Sequence, residues 1–477
     1  MSEPSLLNRL RADLGRSGTP KTARDPVHPA VIRTWCDAMS ETNPYFTDPV
    51  AAAAGPHGSL VAPPAMLQVW TMPGLSMGAK PPSDPADPAA GVYQRLDDAG
   101  FTSVVATDTE HHYVRHLRPG DLITGVTTLA AVSEEKQTAL GIGHFVTTEV
   151  AYSDQHGRPV GTMVFRILKF RPGSGRQPDP DPRHAALIDV GLDPDTVLGP
   201  QPRPTRPRPV WNQDQAWFWE GLRAHELRIQ RFPGTGALAF PPANADPLDH
   251  STQWDWIVAS GKGTLYSYTV PHHPRLPAFD QPLVVGLVEL DEGVRLVSNI
   301  VGVRPDQLEI GMPLEVCFPP TNSAPDVTLH QFRPATPVAR SDTRRATDLE
   351  PGDPLPLCCL TIDPLLIVSS ALATRDFQDV HHDPDLARAK GSKDIFMNIL
   401  TTAGLCNRWV GSWAGPDADF ASLKIRLGAP NYPGDMMTFS GSVASVASDG
   451  AVSIEFVGTN SLGPHVTGTV DLLLPDR

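Results

Sequence analysis

The sequence predicts an α+β protein of three globular parts, the first and last built alike. Three observations carry this. At 477 residues the chain exceeds one ordinary core, and about 150 residues per domain suggests three. A polar loop, an apolar helical stretch and a series of strand-like segments recur in that order near both ends. Proline, 51 residues in the chain, clusters in connectors, most densely in the stretch that precedes a strand-rich middle. The expected parts are residues 1–172, a Pro-rich linker 173–210, a middle part 211–333, a short linker 334–350, and a last part 351–477.

In the first part, Val31, Trp35 and Met39 share one face of a helix over 30–40. Glu41-Thr-Asn43-Pro44-Tyr-Phe46-Thr-Asp48 follows as a loop. A helix should begin near Gly58 and run to Trp70, with Pro63 and Pro64 tolerated only in its first turn and Pro73-Gly74 ending it early. So short a helix leaves volume beneath a sheet, to be filled by the Pro- and Ala-rich stretch 78–91 or left as a widened tunnel. Alternating segments from Phe101 to Phe170, turned at Arg118-Pro-Gly-Asp121 and Gln155-His-Gly157, complete the sheet. His111 and His112 read as strand surface, because nothing nearby completes a metal set.

In the middle part, an aromatic helix over 211–230 precedes strands at 254–260, 263–270, 283–290, 294–301 and 313–319, the count of a small β-barrel. In the last part, a strand over 357–362 and an apolar helix over 365–373 lead into Thr374-Arg-Asp376-Phe-Gln378-Asp379-Val-His381-His382-Asp383. A turn over 384–390 is broken by Gly391, and a long apolar helix over 393–413 carries Ile395, Ile399, Cys406, Val410 and Trp413 on one face. Met397, Leu400 and Trp409 are expected as core. Four strands follow, and their turn at Pro433-Gly-Asp435 repeats Pro119-Gly-Asp121.

A formal charge of -14 offers no phosphate-binding footprint and argues against nucleic-acid partners. No apolar run approaches the ~20 residues of a membrane span, and the N-terminus lacks the plan of a signal peptide, so a cytoplasmic protein is expected. Cys36, Cys317, Cys358, Cys359 and Cys406 form no CxxC pair, which leaves neither a disulfide framework nor a zinc site in the spacing.

Asp376 and His381 place a carboxylate and an imidazole on one loop, the two group types that general acid–base chemistry needs. This stretch resembles the signature of the MaoC-like (R)-specific enoyl-CoA hydratases, Asp-x-Asn-Pro-x-His-x-Asp, a branch of the hot dog fold. Asp376 and His381 match the family's catalytic pair, whereas Gln378 stands for its asparagine and Asp379 for its proline. The earlier copy keeps Asn43-Pro44 but has Glu41 and Phe46 at the reactive positions, so it is expected to keep the fold and lack the chemistry. The family's His-Gly pair at the start of the central helix is replaced by Met397-Asn398, which makes Asn398 a candidate oxyanion donor, with Gln378 and Gly391 as further substrate-site candidates.

The middle part resembles an OB-fold, acyl-CoA-associated family that usually carries a zinc ribbon. The matching stretch, 231–246, has no cysteine. Members of that family sit beside thiolase-like enzymes as docking modules. The order of parts resembles a fusion of the two subunits of the bacterial steroid side-chain hydratase. That resemblance implies hydration of a steroid 17(20)-enoyl-CoA, a thiolase-like lipid-transfer aldolase docked on the OB part, a homodimer, and no metal or cofactor beyond the CoA of the substrate. A hot dog thioesterase and a non-catalytic scaffold for the aldolase are the competing readings.

Overall fold

The structure, a computed structural model, describes residues 5–75, 87–175 and 204–475. The chain divides into two compact units: both halves of the repeat form one, and the intervening barrel, through Thr336 with residues 358–361, forms the other.

In the first unit, helix Pro29–Met39 starts from His28, whose ring accepts the Ala30 N–H, and buries Ile32, Trp35, Cys36 and Met39. The helix expected from Gly58 to Trp70 is shorter still, reduced to 3₁₀ turns at Pro64–Met66 and Val69–Thr71. Proline supplies no N–H at either 63 or 64, and the residues before them are held by bonds outside any helix, Val61 N–H to Tyr45 O and Ala62 N–H to Leu117 O. Of the Pro- and Ala-rich stretch, 76–86 lie outside the described residues, but from Asp87 the chain is helical. Asp87 caps helix Pro88–Asp98 by accepting the Ala89 and Ala90 N–H groups. Val92 and Leu96, one turn apart, pack with Leu10, Leu129, Val132, Val146 and Ile167 beneath the sheet. This helix, not expected from the sequence, fills part of the volume left by the short one.

The strands of both halves join in one antiparallel sheet, in the order Lys21–Thr22, Thr124–Val132, Ile142–Ser153, Pro159–Phe170, Ser103–Tyr113, Asp419–Leu427, Gly463–Leu473, Ala451–Asn460 and Asp435–Val446. The halves meet where Ser103–Tyr113 pairs with Asp419–Leu427, from Ser422↔His112 to Arg426↔Asp108. Lys424 and Glu110 form an ion pair across this seam at 2.9 Å. His111 points inward and is buried, contrary to the surface position expected of it; Thr109, two residues back on the same face, is its hydrogen-bond partner at 3.0 Å. Burial pulls the His111 imidazole down to about 4, so it is neutral near pH 7.

The second half wraps its sheet around helix Ile399–Ala414. The expected start at Lys393 is six residues early, because Asn398 caps the helix by accepting the Thr401 N–H and holds an extended backbone. Met397, Leu400 and Trp409 are core: Trp409 stacks on Phe439 at 5.2 Å and donates its indole N–H to Pro356 O. Trp35 and Met39 approach the same helix at Gly404, where a Cβ would lie 2.8 Å from Trp35 Cζ2.

The second unit holds a five-stranded sheet, in the order Arg295–Asn299, Val285–Leu290, Lys262–Thr269, Pro313–Cys317 and Gln331–Pro334, with Leu265, Val288, Leu296, Leu314 and Phe332 in its core. The leading helix ends at Arg223, earlier than expected, and Arg228–Phe232 begins a separate three-stranded sheet with Ala237–Ala239 and Asp255–Val258. In the cysteine-free stretch, Gln230 exchanges two hydrogen bonds with Ala243, and Arg231 grips Asp255. Strand Gln331–Pro334 lies where the second linker was expected to begin. Among the described residues no helix is long and apolar enough to cross a membrane.

The newly found helix generates a direct test. Leu96→Ala should lower unfolding free energy by about 2–5 kcal/mol, whereas Val50→Ala, at an exposed position, should change it by less than about 0.5 kcal/mol. Urea denaturation followed by circular dichroism measures both.

Candidate active site

Both halves build the same loop from the same turn. Helix Pro364–Ala373 is closed by Arg375 in the left-handed region (φ 58°), with Arg375 N–H to Leu372 O and Asp376 N–H to Ala371 O. In the first half Ser40 (φ 53°) does this, with Ser40 N–H to Asp37 O and Glu41 N–H to Cys36 O. The loops then tie down alike: Val61 N–H to Tyr45 O and Ala62 N–H to Leu117 O are answered by Phe396 N–H to Val380 O and Met397 N–H to Asn431 O. In this register Glu41 corresponds to Asp376, Phe46 to His381, Pro63 to Asn398 and Pro64 to Ile399.

In the second half the turn throws Asp376 inward, and its Oδ2 lies 3.3 Å from His381 Nε2, both side chains nearly fully buried. His381 Nδ1 lies 2.7 Å from Phe396 O. A carbonyl only accepts, so Nδ1 carries a hydrogen and Nε2 is the ring nitrogen that faces Asp376 and can exchange a proton there. The carboxylate is held from both sides, Oδ1 accepting from Gln378 Nε2 at 3.2 Å and Oδ2 from Asn398 Nδ2 at 3.1 Å. Burial pushes the Asp376 carboxyl upward, but His381, Gln378 and Asn398 together outweigh it and hold the group below its ordinary value.

Of the residues singled out from the sequence, the structure brings Asp376, His381, Gln378 and Asn398 together and leaves Gly391 out. Gly391 is exposed, and its N–H is spent on Arg388 O, closing the short helix Pro384–Ala389. Asn398 does not offer a free amide for an oxyanion either. Its two N–H hydrogens go to Asp376 Oδ2 and Thr374 Oγ1, and its Oδ1 to Thr401 N–H. Gln378 is likewise turned on Asp376. What remains at the helix start are the Ile399 and Leu400 amides, which helix geometry leaves without an intrahelical acceptor. Thr374 was missed by the sequence reading, although its place at the end of an apolar helix, two residues before Asp376, was a signal.

The first half lacks each of these parts for a stated reason. Glu41, one methylene longer, folds onto its own loop and accepts the Thr42 and Asn43 N–H groups at 2.8 and 2.9 Å. Phe46 carries no proton, and Pro64 has no N–H to offer where Ile399 has one. A cavity of about 140 Å³ lies on this side, lined among others by Pro64, Leu67, Tyr113, His116 and Phe420; neither Asp376 nor His381 borders it.

The fold and the site define a double hot dog hydratase with an OB module. Residues 13–163 match the FAS1-like dehydratase domain region, and residues 256–319 the C-terminal OB-fold domain of ChsH2. A solved MaoC-like dehydratase has the same fold, with a TM-score of 0.52 at 13% identity over 98% of this chain and 100% of that one. The chain is 40% identical over 346 residues to a probable enoyl-CoA hydratase alpha subunit of Thermomonospora curvata, covering 72% of this chain and 100% of that protein. The 3-oxo-4,17-pregnadiene-20-carboxyl-CoA hydratase alpha subunit of Mycobacterium tuberculosis is also 40% identical, over 66% of this chain and 93% of that protein. The corresponding beta subunit is 57% identical over 125 residues, 26% of this chain and 96% of that protein. The chain belongs to this enoyl-CoA hydratase family and joins alpha- and beta-type parts in one polypeptide.

Because the first half lacks both a proton carrier and a free amide at Pro64, giving it Phe46→His in an Asp376→Asn background should not restore turnover. A hydration assay checks this, and recovery of activity would refute the assignment of Pro64.

Proposed function

We propose that this protein adds water to the double bond of an enoyl-CoA thioester, a steroid 17(20)-enoyl-CoA in particular, and yields the tertiary hydroxyacyl-CoA. The observation that carries the reading is the buried Asp376–His381 pair, Oδ2 and Nε2 3.3 Å apart with the ring's Nδ1 turned to Phe396 O. Its steroid scope is supported by likeness to both subunits of the pregnadiene-carboxyl-CoA hydratase. The alpha-type match takes in the OB part, which leaves the last part, with Asp376 and His381, as the beta-type counterpart.

In the reacting form the imidazole is neutral with its hydrogen on Nδ1, and one water gives a hydrogen to Asp376 and one to His381 Nε2. As its oxygen bonds to the beta carbon, the π electrons move toward the thioester and the alpha carbon becomes enolate-like. One water hydrogen stays with the new hydroxyl, held by Asp376, whose depressed pKa makes it a poor proton carrier. The other passes to His381 Nε2 and from there to the alpha carbon, so the atoms of one water are all accounted for. Charge developing on the thioester oxygen is stabilised by the Ile399 and Leu400 amides at the positive end of helix Ile399–Ala414. Every step balances with one water, so the addition itself calls for no redox or metal cofactor.

The product is a beta-hydroxy thioester, the kind of molecule a retro-aldol cleavage consumes. A thiolase-like lipid-transfer aldolase docked on the OB part is the proposed consumer. The match to the ChsH2 OB domain supports this, as do Trp254, Trp256, Tyr266 and Tyr268, each more than a third exposed on the second unit, since aromatic residues are enriched at partner interfaces. The catalytic protein is proposed to be cytoplasmic and homodimeric.

Incubation with a steroid enoyl-CoA should give a mass gain of one water with the thioester intact; release of free CoA thiol instead would mean a thioesterase, and no change a scaffold. Asp376→Asn and His381→Ala should each lower kcat by about 10²- to 10⁴-fold. Full turnover in either would remove that residue from the mechanism.

A further inference from the structure

We propose that Asn398 is a positioning residue that sets the Asp376 carboxylate and the start of the central helix with a single side chain. Asn398 is buried, and all three of its side-chain hydrogen-bond directions named above are spent on structure: Asp376 Oδ2 at 3.1 Å, Thr374 Oγ1 at 3.0 Å and Thr401 N–H at 2.7 Å. Thr374 is in turn fixed to its own helix, donating to Ser370 O at 2.8 Å. A second tie runs alongside, from Thr401 Oγ1 to Ser370 Oγ at 2.8 Å. The end of helix Pro364–Ala373, the reactive carboxylate and the first turn of helix Ile399–Ala414 therefore move as one body. The Ile399 and Leu400 amides follow Asn398 directly in the chain, so the distance between the carboxylate and those amides is fixed through it.

The chain contains its own control. In the first half Pro63 stands in the register of Asn398; it can neither cap a helix nor donate to a carboxylate. There the acidic side chain, Glu41, collapses onto the amides of its own loop, and no α-helix forms from Pro64. The groups acting on Asp376 are His381 and Gln378 from its own loop and Asn398 from the central helix; His381 is the titratable one among them.

The kinetic arm of the test rests on the hydratase reading. Asn398→Ser keeps a capping oxygen for the helix but is too short to reach Asp376. It should lower kcat by about 10²-fold through misplacement of the reacting group, with little change in KM. The acid limb of kcat/KM should move to higher pH, because Asp376 loses a donor that favours its ionised form and is protonated sooner as pH falls. Carboxyl carbon NMR of Asp-labelled protein, with the Asp376 signal identified through Asp376→Asn, should show its titration shifted upward in the same sense. Should the serine variant not fold, Asn398→Thr likewise keeps a capping oxygen and is too short to reach Asp376, and the same readouts apply. A thermal midpoint that falls while kcat, the acid limb and the carboxyl titration stay at wild-type values would mean that Asn398 is a cap only, and would overturn the proposal. If the wild-type protein adds no water to enoyl-CoA, the hydratase reading fails, and the carboxyl titration alone decides for or against Asn398.

Discussion

Keeping an ionised carboxylate out of water is the constraint on which the rest of the site depends. An unpaired buried charge is costly enough that a carboxyl usually neutralises itself instead. Asp376 escapes that outcome because donors converge on both of its oxygens, one from its own loop and one from the central helix. The helix-closing turn at Arg375, the cap at Asn398 and the carbonyl of Phe396 behind His381 are each ordinary local features. Together they hold a carboxylate against the one His381 nitrogen that can take up and release a proton, which is what the proposed reaction of a single water requires.

The two halves show how little has to change for such a site to be lost. The same turn, the same cross-loop bonds and the same place in the sheet recur at Glu41–Phe46 and Asp376–His381. Among the differences, one methylene, one ring and two prolines bear directly on the site. The methylene lets the acid reach its own backbone, the ring replaces a proton carrier, and the prolines remove a cap and an amide. Those prolines also cost the first half its central helix, and Pro88–Asp98 packs Val92 and Leu96 beneath the sheet in that half instead.

Much of this was legible in the sequence, for physical reasons that differ by element. Strands of the repeat could be read because one face of each is buried and alternation follows. The meeting of Asp376 and His381 was legible from residue type and spacing on one loop. The start of the central helix was not, since Phe396 and Met397 are as apolar as the helix proper although they are held by Val380 and Asn431 in an extended stretch. Asn398 could be singled out by its place but not by its role: whether an amide faces a substrate or a carboxylate depends on which residues the fold brings beside it. Helix Pro88–Asp98 had a cap and a proline in the favoured positions, and its Ala-rich composition concealed both. Gly391 misled for the opposite reason, because a left-handed glycine (φ 89°) marks the end of a short helix as readily as a binding loop.

At the seam, Ser103–Tyr113 of the first half pairs with Asp419–Leu427 of the second. In an assembly of separate subunits, such a junction forms only as far as concentration allows, and an inert copy can pair with another inert copy. Within one polypeptide the tether supplies the effective concentration, so dilution does not part the halves and every molecule contains one half with the Asp–His pair and one without. Covalent linkage thus removes the selection for a self-complementary edge, and each side of the junction is free to drift as long as its counterpart drifts with it.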